Sequence, residues 1–284
     1  MRNLLLAAAC AACLLPGCGD DGDDGNTIVN TIGGTPPASG TLLYVAQSGA
    51  TAILVNVSPT NPSVILKSVP ITGLSGTVFG IDYRPATGQL FATNSSDRLY
   101  VIDPATGVAL EVGTTTLLPG LSGGLFGFDF NPTVDRIRVV SNSDQNLRLD
   151  PNLGSVASTD TTLAYAGGDP NFGSDPNVVA AAYTNNFAGA TSTTLFGIDS
   201  VLDVLVTINP PNNGALNTVG ALGVNISFGL DVGFDISSTG VAYAALSVGT
   251  TPTALYTINL TTGAATLVGT LGTGAAIRGL TVVP

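Results

Sequence analysis

Hydrophobic positions in this chain form short runs that are separated by Gly, Asn, Asp and Pro, and no long stretch repeats with the period of a helix. The runs are rich in Val, Ile, Thr, Leu, Phe and Tyr, the residues that favour strands. In LYVIDPATG at 99–107, for example, an apolar run ends at Asp103 followed by Pro, a combination typical of turns. The pattern therefore predicts an all-β protein made of many short strands joined by tight turns.

This unit of short runs is repeated along the chain. FGIDYRPATGQLFA at 79–92 aligns without gaps with FGFDFNPTVDRIRV at 126–139, an offset of 47 residues, and the same offset aligns LYVIDPATG with NLRLDPNLG at 146–154. Two further copies follow, one made of 178–200 and 204–220 and the other of 233–244 and 255–269. Each unit holds four strand-like runs, and a period of about 40–50 residues with four strands is the signature of β-propeller blades.

The two ends of the chain supply parts of one further blade. The strand-like runs between residues 42 and 71 have no preceding copy of the strand that carries Gly-x-Asp, whereas RGLTVVP at 278–284 resembles that strand, with Thr281 at the Asp position. Pairing the last strand with the first three would close the ring and protect its edges. The sequence thus predicts an all-β propeller of five four-stranded blades. A sixth blade would need a second unit within 155–178, which contains no convincing pair of strands.

The repeating unit also resembles a known family. The motifs that carry the resemblance are GIDYRPATGQLFA, GFDFNPTVDRIRVVSN, QNLRL, VVAAAYTNN, GID and VTINPPNNG. The resemblance covers essentially all of residues 41–284. On these motifs the chain is similar to bacterial exported proteins that contain the domain of unknown function 4394. That family has no assigned activity, so the resemblance strengthens the fold and adds no chemistry.

The first residues are typical of an export signal. Residues 1–3 carry a positive charge, and the apolar run that follows is too short to span a bilayer stably. Leu-Pro-Gly directly before Cys18 resembles the bacterial lipobox, which implies removal of residues 1–17 and lipidation of Cys18; the alternative is ordinary cleavage nearby, with Cys18 left as a free thiol. Gly19 stands where an Asp often marks inner-membrane retention, so the resemblance implies an outer-membrane lipoprotein that faces the periplasm or the cell surface.

After the signal segment the chain divides into two parts. Residues 18–40 are acidic and then rich in Gly, Pro and Ser, which predicts a flexible tether. Residues 41–284 are predicted to form the propeller domain. Because Cys10 and Cys13 lie in the signal segment, the domain has no disulfide and must rely on its apolar core.

Composition excludes several classes of function. A net charge of −11 argues against general binding of nucleic acid. The chain contains no His, which excludes Ser-His-Asp hydrolysis, His metal sites and His acid–base catalysis. With Cys18 lipidated, no thiol remains for nucleophilic catalysis or zinc binding. Carboxylates, Tyr and Arg remain as candidate functional groups.

Asp82, Asp129 and Asp235 recur at the same position of the innermost strand of the unit. Alternation places Gly80, Asp82 and Arg84 on one face of that strand. On one hypothesis the three acids form a ring near the propeller axis that binds a cation. The favoured interpretation is structural: each acid would accept hydrogen bonds between blades, because buried carboxylates need partners.

Basic residues crowd together once, at Arg136, Arg138 and Arg148. If the hairpin between their strands is centred near Ser143, Arg138 lies directly opposite Arg148, and two like charges in that position need a counter-ion. One hypothesis is that the pair binds an anionic ligand such as a carboxylate or a phosphate. The favoured alternative is an internal salt-bridge network. Candidate anions for such a network are Asp82, Asp129, Asp135 and Asp144.

The loop at 167–177 carries two pairs of oxygen donors, each pair two residues apart, namely Asp169 with Asn171 and Asp175 with Asn177. Such donors suit a hard cation such as calcium. However, no bidentate Glu follows at the EF-hand distance, and Asp-Pro-Asn is also an ordinary turn former. We therefore expect no cofactor, with calcium as the alternative.

Together these features predict a non-catalytic lipoprotein of the cell envelope that binds or scaffolds a protein partner or a glycan, and that contacts the membrane through its lipid. An alternative is a calcium-assisted hydrolase, lactonase or sugar lyase, which would need several oxygen ligands converging near the axis. A further alternative is a passive structural lipoprotein without a small ligand. The fold alone does not decide among them.

Overall fold

The computed structural model describes residues 35–227 and 232–284. The predicted signal peptide, Cys18 and the first part of the predicted tether lie outside the described residues. Within these ranges the regular structure is β-strand, apart from one short 3₁₀-helix at Pro211–Asn213. No helix of the described ranges is long and apolar enough to cross a membrane.

Short strands joined by tight turns make up the described chain, as the apolar pattern predicts. In chain order they are Leu42–Ser48 (β1), Thr51–Ser58 (β2), Asn61–Pro70 (β3), Val78–Tyr83 (β4), Leu90–Asn94 (β5), Leu99–Ile102 (β6), Ala109–Val112 (β7), Phe126–Asn131 (β8), Arg136–Ser141 (β9), Asn146–Asp150 (β10), Ser155–Thr159 (β11), Ala164–Tyr165 (β12), Val178–Tyr183 (β13), Leu195–Asp199 (β14), Val204–Ile208 (β15), Ala215–Ala221 (β16), Val232–Ile236 (β17), Ala242–Leu246 (β18), Ala254–Ile258 (β19), Ala265–Thr270 (β20) and Ala276–Val282 (β21).

The strands assemble into five sheets, which are the blades of a propeller. From the innermost strand outwards, blade I has the order β21-β1-β2-β3, blade II β4-β5-β6-β7 and blade III β8-β9-β10-β11. Blade IV has the order β13-β14-β15-β16-β12, and blade V has β17-β18-β19-β20. Neighbouring strands are antiparallel, except that β12 pairs with β16 in parallel. The five-bladed all-β propeller predicted from the sequence is confirmed.

Closure of the ring also follows the prediction. Strand β21 pairs with β1, with Val282 opposite Leu42 and Ala276 opposite Gln47. The segment 155–178 holds β11 and β12, which belong to blades III and IV, so it contains no sixth blade. Blade IV therefore has five strands rather than four, because the connection from blade III pairs with the free edge of β16 and covers it.

The inner strands approach one another closely around the axis. A Cβ atom on Gly80 would lie 2.4 Å from Cβ of Phe128, and one on Gly127 would lie 2.5 Å from the backbone nitrogen of Ala181. Separations this short exclude a larger side chain, which explains the Gly at this repeated position. The space left at this level is a cavity of about 10 Å³, close to the volume that one water molecule requires.

Apolar side chains pack between neighbouring blades. Phe91 of blade II, for example, packs with Phe130 and Ile137 of blade III. The rings of Phe91 and Phe130 meet edge to face, with their centroids 5.2 Å apart. Burial of one such side chain contributes roughly 1.5–3 kcal/mol to stability. Polar groups buried between the blades therefore lie in an apolar environment and need hydrogen-bond partners.

Candidate functional site

Three carboxylates meet near the axis of the propeller. Asp82 in β4, Asp129 in β8 and Asp235 in β17 each follow a Gly of the inner strand by two residues, and each is 1% exposed. One oxygen of each acid lies within 4.8 Å of an oxygen of the others. We call these three residues the axial triad. The equivalent position holds Ala182 in β13 and Thr281 in β21.

Each carboxylate of the axial triad reaches from its own blade to the next. The acceptors and their backbone donors are Asp82 with the N–H of Phe130 at 2.8 Å, Asp129 with that of Tyr183 at 2.9 Å and Asp235 with that of Val282 at 2.7 Å. These contacts link blade II to III, blade III to IV and blade V to I. Arg84, the residue directly after β4, likewise reaches blade III, where it pairs with Asp135.

The carboxylate oxygens of the axial triad differ in how many hydrogen bonds they accept. The hydroxyl of Thr281 lies 2.9 Å from Asp82 Oδ1 and 3.1 Å from Asp235 Oδ2. By contrast, Asp129 Oδ2 is buried and has no hydrogen-bond partner among the described residues. No Lys or Arg side chain in the described part of the chain forms an ion pair with the triad. The site therefore buries three acids without a basic counter-charge.

Burial disfavours the ionised forms of these acids. It raises the pKa of Asp82 well above the usual range, and the neighbouring Asp235 raises that pKa further. Burial raises the pKa of Asp129 in the same way, with Asp82 and Asp235 as additional causes. For Asp235, burial raises the pKa to about 6, although the backbone N–H groups that it accepts from act in the opposite direction. The triad therefore holds protons at neutral pH or requires a cation.

A pocket opens at the end of the axis next to the triad. It has a volume of about 360 Å³, and we call it the mouth pocket. Ends of the inner strands and the loop after β13 line it, with Tyr83, Asn186, Phe187, Ser237, Thr239 and Val282 among the lining residues. None of its lining side chains is charged. Because Asn186 also hydrogen-bonds to Asp235, one amide side chain connects the pocket with the triad.

Arg138 and Arg148 lie directly opposite each other on β9 and β10, as the hairpin register predicts. Asp160, which follows β11, accepts from both: from Arg138 Nη1 at 2.6 Å, and from Arg148 Nε and Nη2 at 2.8 Å each. Arg138 is 2% exposed and also donates to Asn146 and Asn212. We call these five residues the arginine cluster. Two like charges are thus joined by one shared carboxylate.

Sequence reasoning missed Asp160 as the counter-ion. Of the four anions that it suggested, Asp82 and Asp129 belong to the axial triad, Asp135 pairs with Arg84, and Asp144 forms no ion pair with a described residue. Asp160 has no counterpart in the repeat, since Gly113 stands 47 positions earlier. The signal that could have indicated it is an acid in the connection directly after the last strand of the charged blade.

The hydrogen bonds of the arginine cluster decide the charge of Asp160. Burial alone would raise its pKa, but donation from Arg148 and Arg138 holds the pKa below the usual value. Arg136 lies apart from this cluster, 3.3 Å from Asp150. An anionic ligand at Arg138 and Arg148 would have to join or displace Asp160. Anion binding by these arginines and Arg136 stays a prediction.

The oxygen donors of the loop before β13 contact two different parts of blade IV. Asp169 accepts from the backbone N–H of Thr218 at 2.6 Å and from its hydroxyl at 2.9 Å, and Asn171 contacts the same hydroxyl. Asn177 is instead bound to the turn after β14. Burial opposes ionisation of Asp169, yet the hydrogen bonds hold its pKa below the usual value. Calcium binding by this loop, which also includes Asp175, stays a prediction.

Several solved structures resemble this propeller. A Bacteroides thetaiotaomicron protein of unknown function is 14% identical with a TM-score of 0.49, and the match covers 83% of this chain and 59% of that protein. Myxococcus xanthus glutaminyl cyclase is 11% identical with a TM-score of 0.48, over 80% of this chain and 96% of the cyclase. An engineered GH43 glycoside hydrolase is 10% identical with a TM-score of 0.48, over 80% of this chain and 50% of the hydrolase. At these identities the likeness carries no information on activity.

Among curated proteins, none matches this sequence. A family model does match: the domain of unknown function DUF4394 covers residues 53–281. The match begins in β2 and ends in β21, so it extends over strands of all five blades. The chain therefore belongs to the family of the domain of unknown function DUF4394, as the resemblance of its repeat motifs implies.

Proposed function

We propose that this protein is an envelope-anchored lipoprotein whose propeller is a non-catalytic binding module, with the mouth pocket as its ligand site. The observation that carries the proposal is the pocket itself, about 360 Å³ at the end of the axis. Small-ligand sites typically measure roughly 300–1,000 Å³. Because the pocket is lined by segments from several blades, changes in individual loops could adapt it to a ligand without disturbing the core.

The lining favours a neutral ligand rich in hydroxyl groups. Phe187 is 45% exposed and offers an apolar ring face. Asn186, Ser237 and Thr239 offer amide and hydroxyl groups that both donate and accept hydrogen bonds. A charged ligand would lose hydration here without gaining an ionic partner. A glycan, whose sugar rings combine apolar C–H faces with hydroxyls, matches both features; an uncharged segment of a protein partner is the second choice.

Two observations support binding without catalysis. The chain contains no His, and the carboxylates of the axial triad are bound to backbone N–H groups of the next blade. A general acid or base must come within hydrogen-bond reach of the substrate. The triad carboxylates are each 1% exposed, so a substrate in the mouth pocket does not contact them in this structure.

Phe187→Ala tests the mouth pocket. Phe172→Ala is the matched control, because Phe172 is 67% exposed but does not line the pocket. A neutral glycan selected on an array should bind the wild type and Phe172→Ala equally, and Phe187→Ala about tenfold more weakly by isothermal titration calorimetry, since loss of an aromatic contact costs about 1.4 kcal/mol. Equal binding by both variants would show that the ligand lies elsewhere.

The lipid anchor needs a separate test, for which we choose Cys18→Ala in producing cells. The wild type should incorporate labelled palmitate and fractionate with the outer membrane, and the variant should do neither. An unlabelled, freely soluble wild-type protein would overturn the lipoprotein part of the proposal. Binding at the mouth pocket would be unaffected by that result.

The alternative function is a calcium-assisted hydrolase, lactonase or sugar lyase, which the convergence of three carboxylates near the axis favours. Turnover of a lactone or a glycan by the purified protein, lost on addition of a chelator, would replace binding by catalysis. Failure to bind any glycan or protein partner, together with correct localisation, would instead favour a passive structural lipoprotein.

A further inference from the structure

The axial triad concentrates acids at one point between the blades. Asp82, Asp129 and Asp235 are each 1% exposed and lie within 4.8 Å of one another through one oxygen each. Three ionised carboxylates at such a point repel one another and lose their hydration, which requires protons, basic side chains or a cation in compensation. Arg84, two residues after Asp82, does not supply this charge because it is bound to Asp135.

One oxygen of the triad lacks a partner. Asp129 accepts through Oδ1 from the backbone N–H of Tyr183 at 2.9 Å, whereas its Oδ2 atom is buried without a hydrogen bond in the described chain. Leaving a buried acceptor unsatisfied costs free energy, and more so for a charged group. This atom is therefore available to hold a proton or to bind a group from outside the chain.

A single hydroxyl is shared by the other two acids. Thr281 Oγ1 lies 2.9 Å from Asp82 Oδ1 and 3.1 Å from Asp235 Oδ2. A hydroxyl has one proton, so it can donate to one of these carboxylates at a time. If both are ionised, the second contact places two lone pairs against each other. A cation removes this conflict, because it binds the lone pairs of both carboxylates and of the hydroxyl.

We propose that the axial triad binds a divalent cation of the calcium class, with three carboxylate ligands and the hydroxyl of Thr281 as a fourth. Ca²⁺ holds oxygen ligands at roughly 2.3–2.6 Å, so that oxygens on opposite sides of one ion lie about 4.6–5.2 Å apart. The spacing of the triad, within 4.8 Å, suits this geometry. Mg²⁺ holds its ligands at roughly 2.0–2.1 Å in a strict octahedron, which places oxygens on opposite sides of the ion only about 4.0–4.2 Å apart.

A cation at this point joins four of the five blades. Its ligands come from β4, β8, β17 and β21, the innermost strands of blades II, III, V and I. The ion would therefore stabilise the propeller ring at blade I, where β21 closes the ring. Asn186 contacts Asp235 and lines the mouth pocket, so the pocket lies on one side of the cation site. The cation site does not depend on the ligand proposed for that pocket.

Thermal unfolding with calcium or with chelator tests the site. Asp129→Asn is the informative variant because the amide keeps the shape of the side chain and the acceptor for Tyr183 while it removes one charge. Asp169→Asn, in the loop before β13, is the matched control. Millimolar calcium should raise the Tm of the wild type and of the control by about 5–10 °C relative to chelator, and should leave the Tm of Asp129→Asn unchanged.

The direction in which Asp129→Asn changes the Tm in the presence of chelator provides a second criterion. Without a cation, Asp129→Asn should unfold at the same temperature as the wild type or higher, because it removes one of three neighbouring acids. Metal content needs no variant: after dialysis against calcium and then buffer, the wild type should hold about one calcium per chain by atomic emission, and should lose it to chelator.

Two results would overturn the proposal. A wild type without bound calcium and without a calcium-dependent Tm would mean that protons neutralise the triad. A calcium effect lost in Asp169→Asn but kept in Asp129→Asn would place the ion in the loop before β13. Neither result changes the expected difference in glycan affinity between Phe187→Ala and its control Phe172→Ala. Failure of the cation site is therefore distinguishable from failure of the mouth pocket.

Discussion

The arginine cluster and the axial triad both bury charged groups between strands, but they satisfy them in different ways. In the arginine cluster, Asp160 lies between Arg138 and Arg148 and accepts hydrogen bonds from both. The excess positive charge can be solvated, because the side chain of Arg148 is 32% exposed. In the axial triad all three groups are acids, and Asp129 Oδ2 has no partner in the described chain. Among the described residues, the buried polar atoms of the first site all have partners, whereas one carboxylate oxygen of the second has none.

This difference predicts opposite responses to the loss of one charge. Removing Asp160 leaves a buried guanidinium without its carboxylate, which is costly. Removing a charge from the axial triad relieves repulsion as long as no cation is bound. Buried charge therefore contributes to structure where its partners belong to the chain, and indicates a ligand where they do not.

Asp160→Ala should have the largest effect on stability. We expect the free energy of unfolding to fall by about 3–5 kcal/mol, because Arg138 remains buried and loses its ionic partner. Urea unfolding measures the loss. The matched control is Glu111→Ala, which breaks the more exposed pair with Arg98 and should cost at most about 1 kcal/mol. Equal losses in the two variants would remove the distinction between the sites. Partial rescue of Asp160→Ala by phosphate would show that a free anion can replace the carboxylate between Arg138 and Arg148.

Acid should weaken the arginine cluster. Hydrogen bonds from the two arginines lower the pKa of Asp160 in the folded state, in spite of its burial. The unfolded pKa is about 3.9, so the stabilisation is fully present above that pH and is lost as the pH falls through the lower folded value. The stability difference between the wild type and Asp160→Ala should be constant from neutral pH to about pH 5 and should then shrink by about 1.4 kcal/mol per unit of pKa shift. Urea unfolding at a series of pH values tests this, and a difference unchanged at pH 3 would contradict the ion pair.

The architecture could be predicted from the sequence because it is repeated. Copies at an offset of 47 residues identified blades II and III, and Thr281 in the Asp position identified the strand that closes the ring. Strand β12 was missed because it occurs once: two residues pair in parallel with β16 in a connection that no other blade has. A pattern found by comparing repeats does not detect elements without a second copy.

The same limit applies to the sites. The pairing of Arg138 with Arg148 followed from the register of one hairpin, which depends on local spacing. Their counter-ion could not be predicted in this way, because Asp160 lies in a connection that is not repeated. The same holds for Asn212, a further partner of Arg138, which comes from blade IV. For the axial triad, the sequence shows equivalent positions but no distances. How close the acids lie depends on the packing of the inner strands, which glycines such as Gly80 permit.

Thr281→Val extends the comparison to the axial triad and should have the smallest effect. Val has nearly the size of Thr but lacks the hydroxyl shared by Asp82 and Asp235. Each of these acids keeps two backbone N–H donors, from the residue after it and from the next blade. In chelator we therefore expect a loss of about 1 kcal/mol in urea unfolding, the contribution of one hydrogen bond.

Calcium should enlarge this small effect, because the hydroxyl then serves as a ligand rather than as a donor to one carboxylate. The calcium-dependent rise in Tm should be smaller in Thr281→Val than in the wild type, whereas Asp160→Ala should keep the full rise on a lower baseline. If Thr281→Val instead lost about 3–5 kcal/mol in chelator, as expected for a group left alone in a buried ionic site, its hydroxyl would be an essential partner of the triad. The triad would then be as complete within the chain as the arginine cluster, and the case for a cation would weaken accordingly.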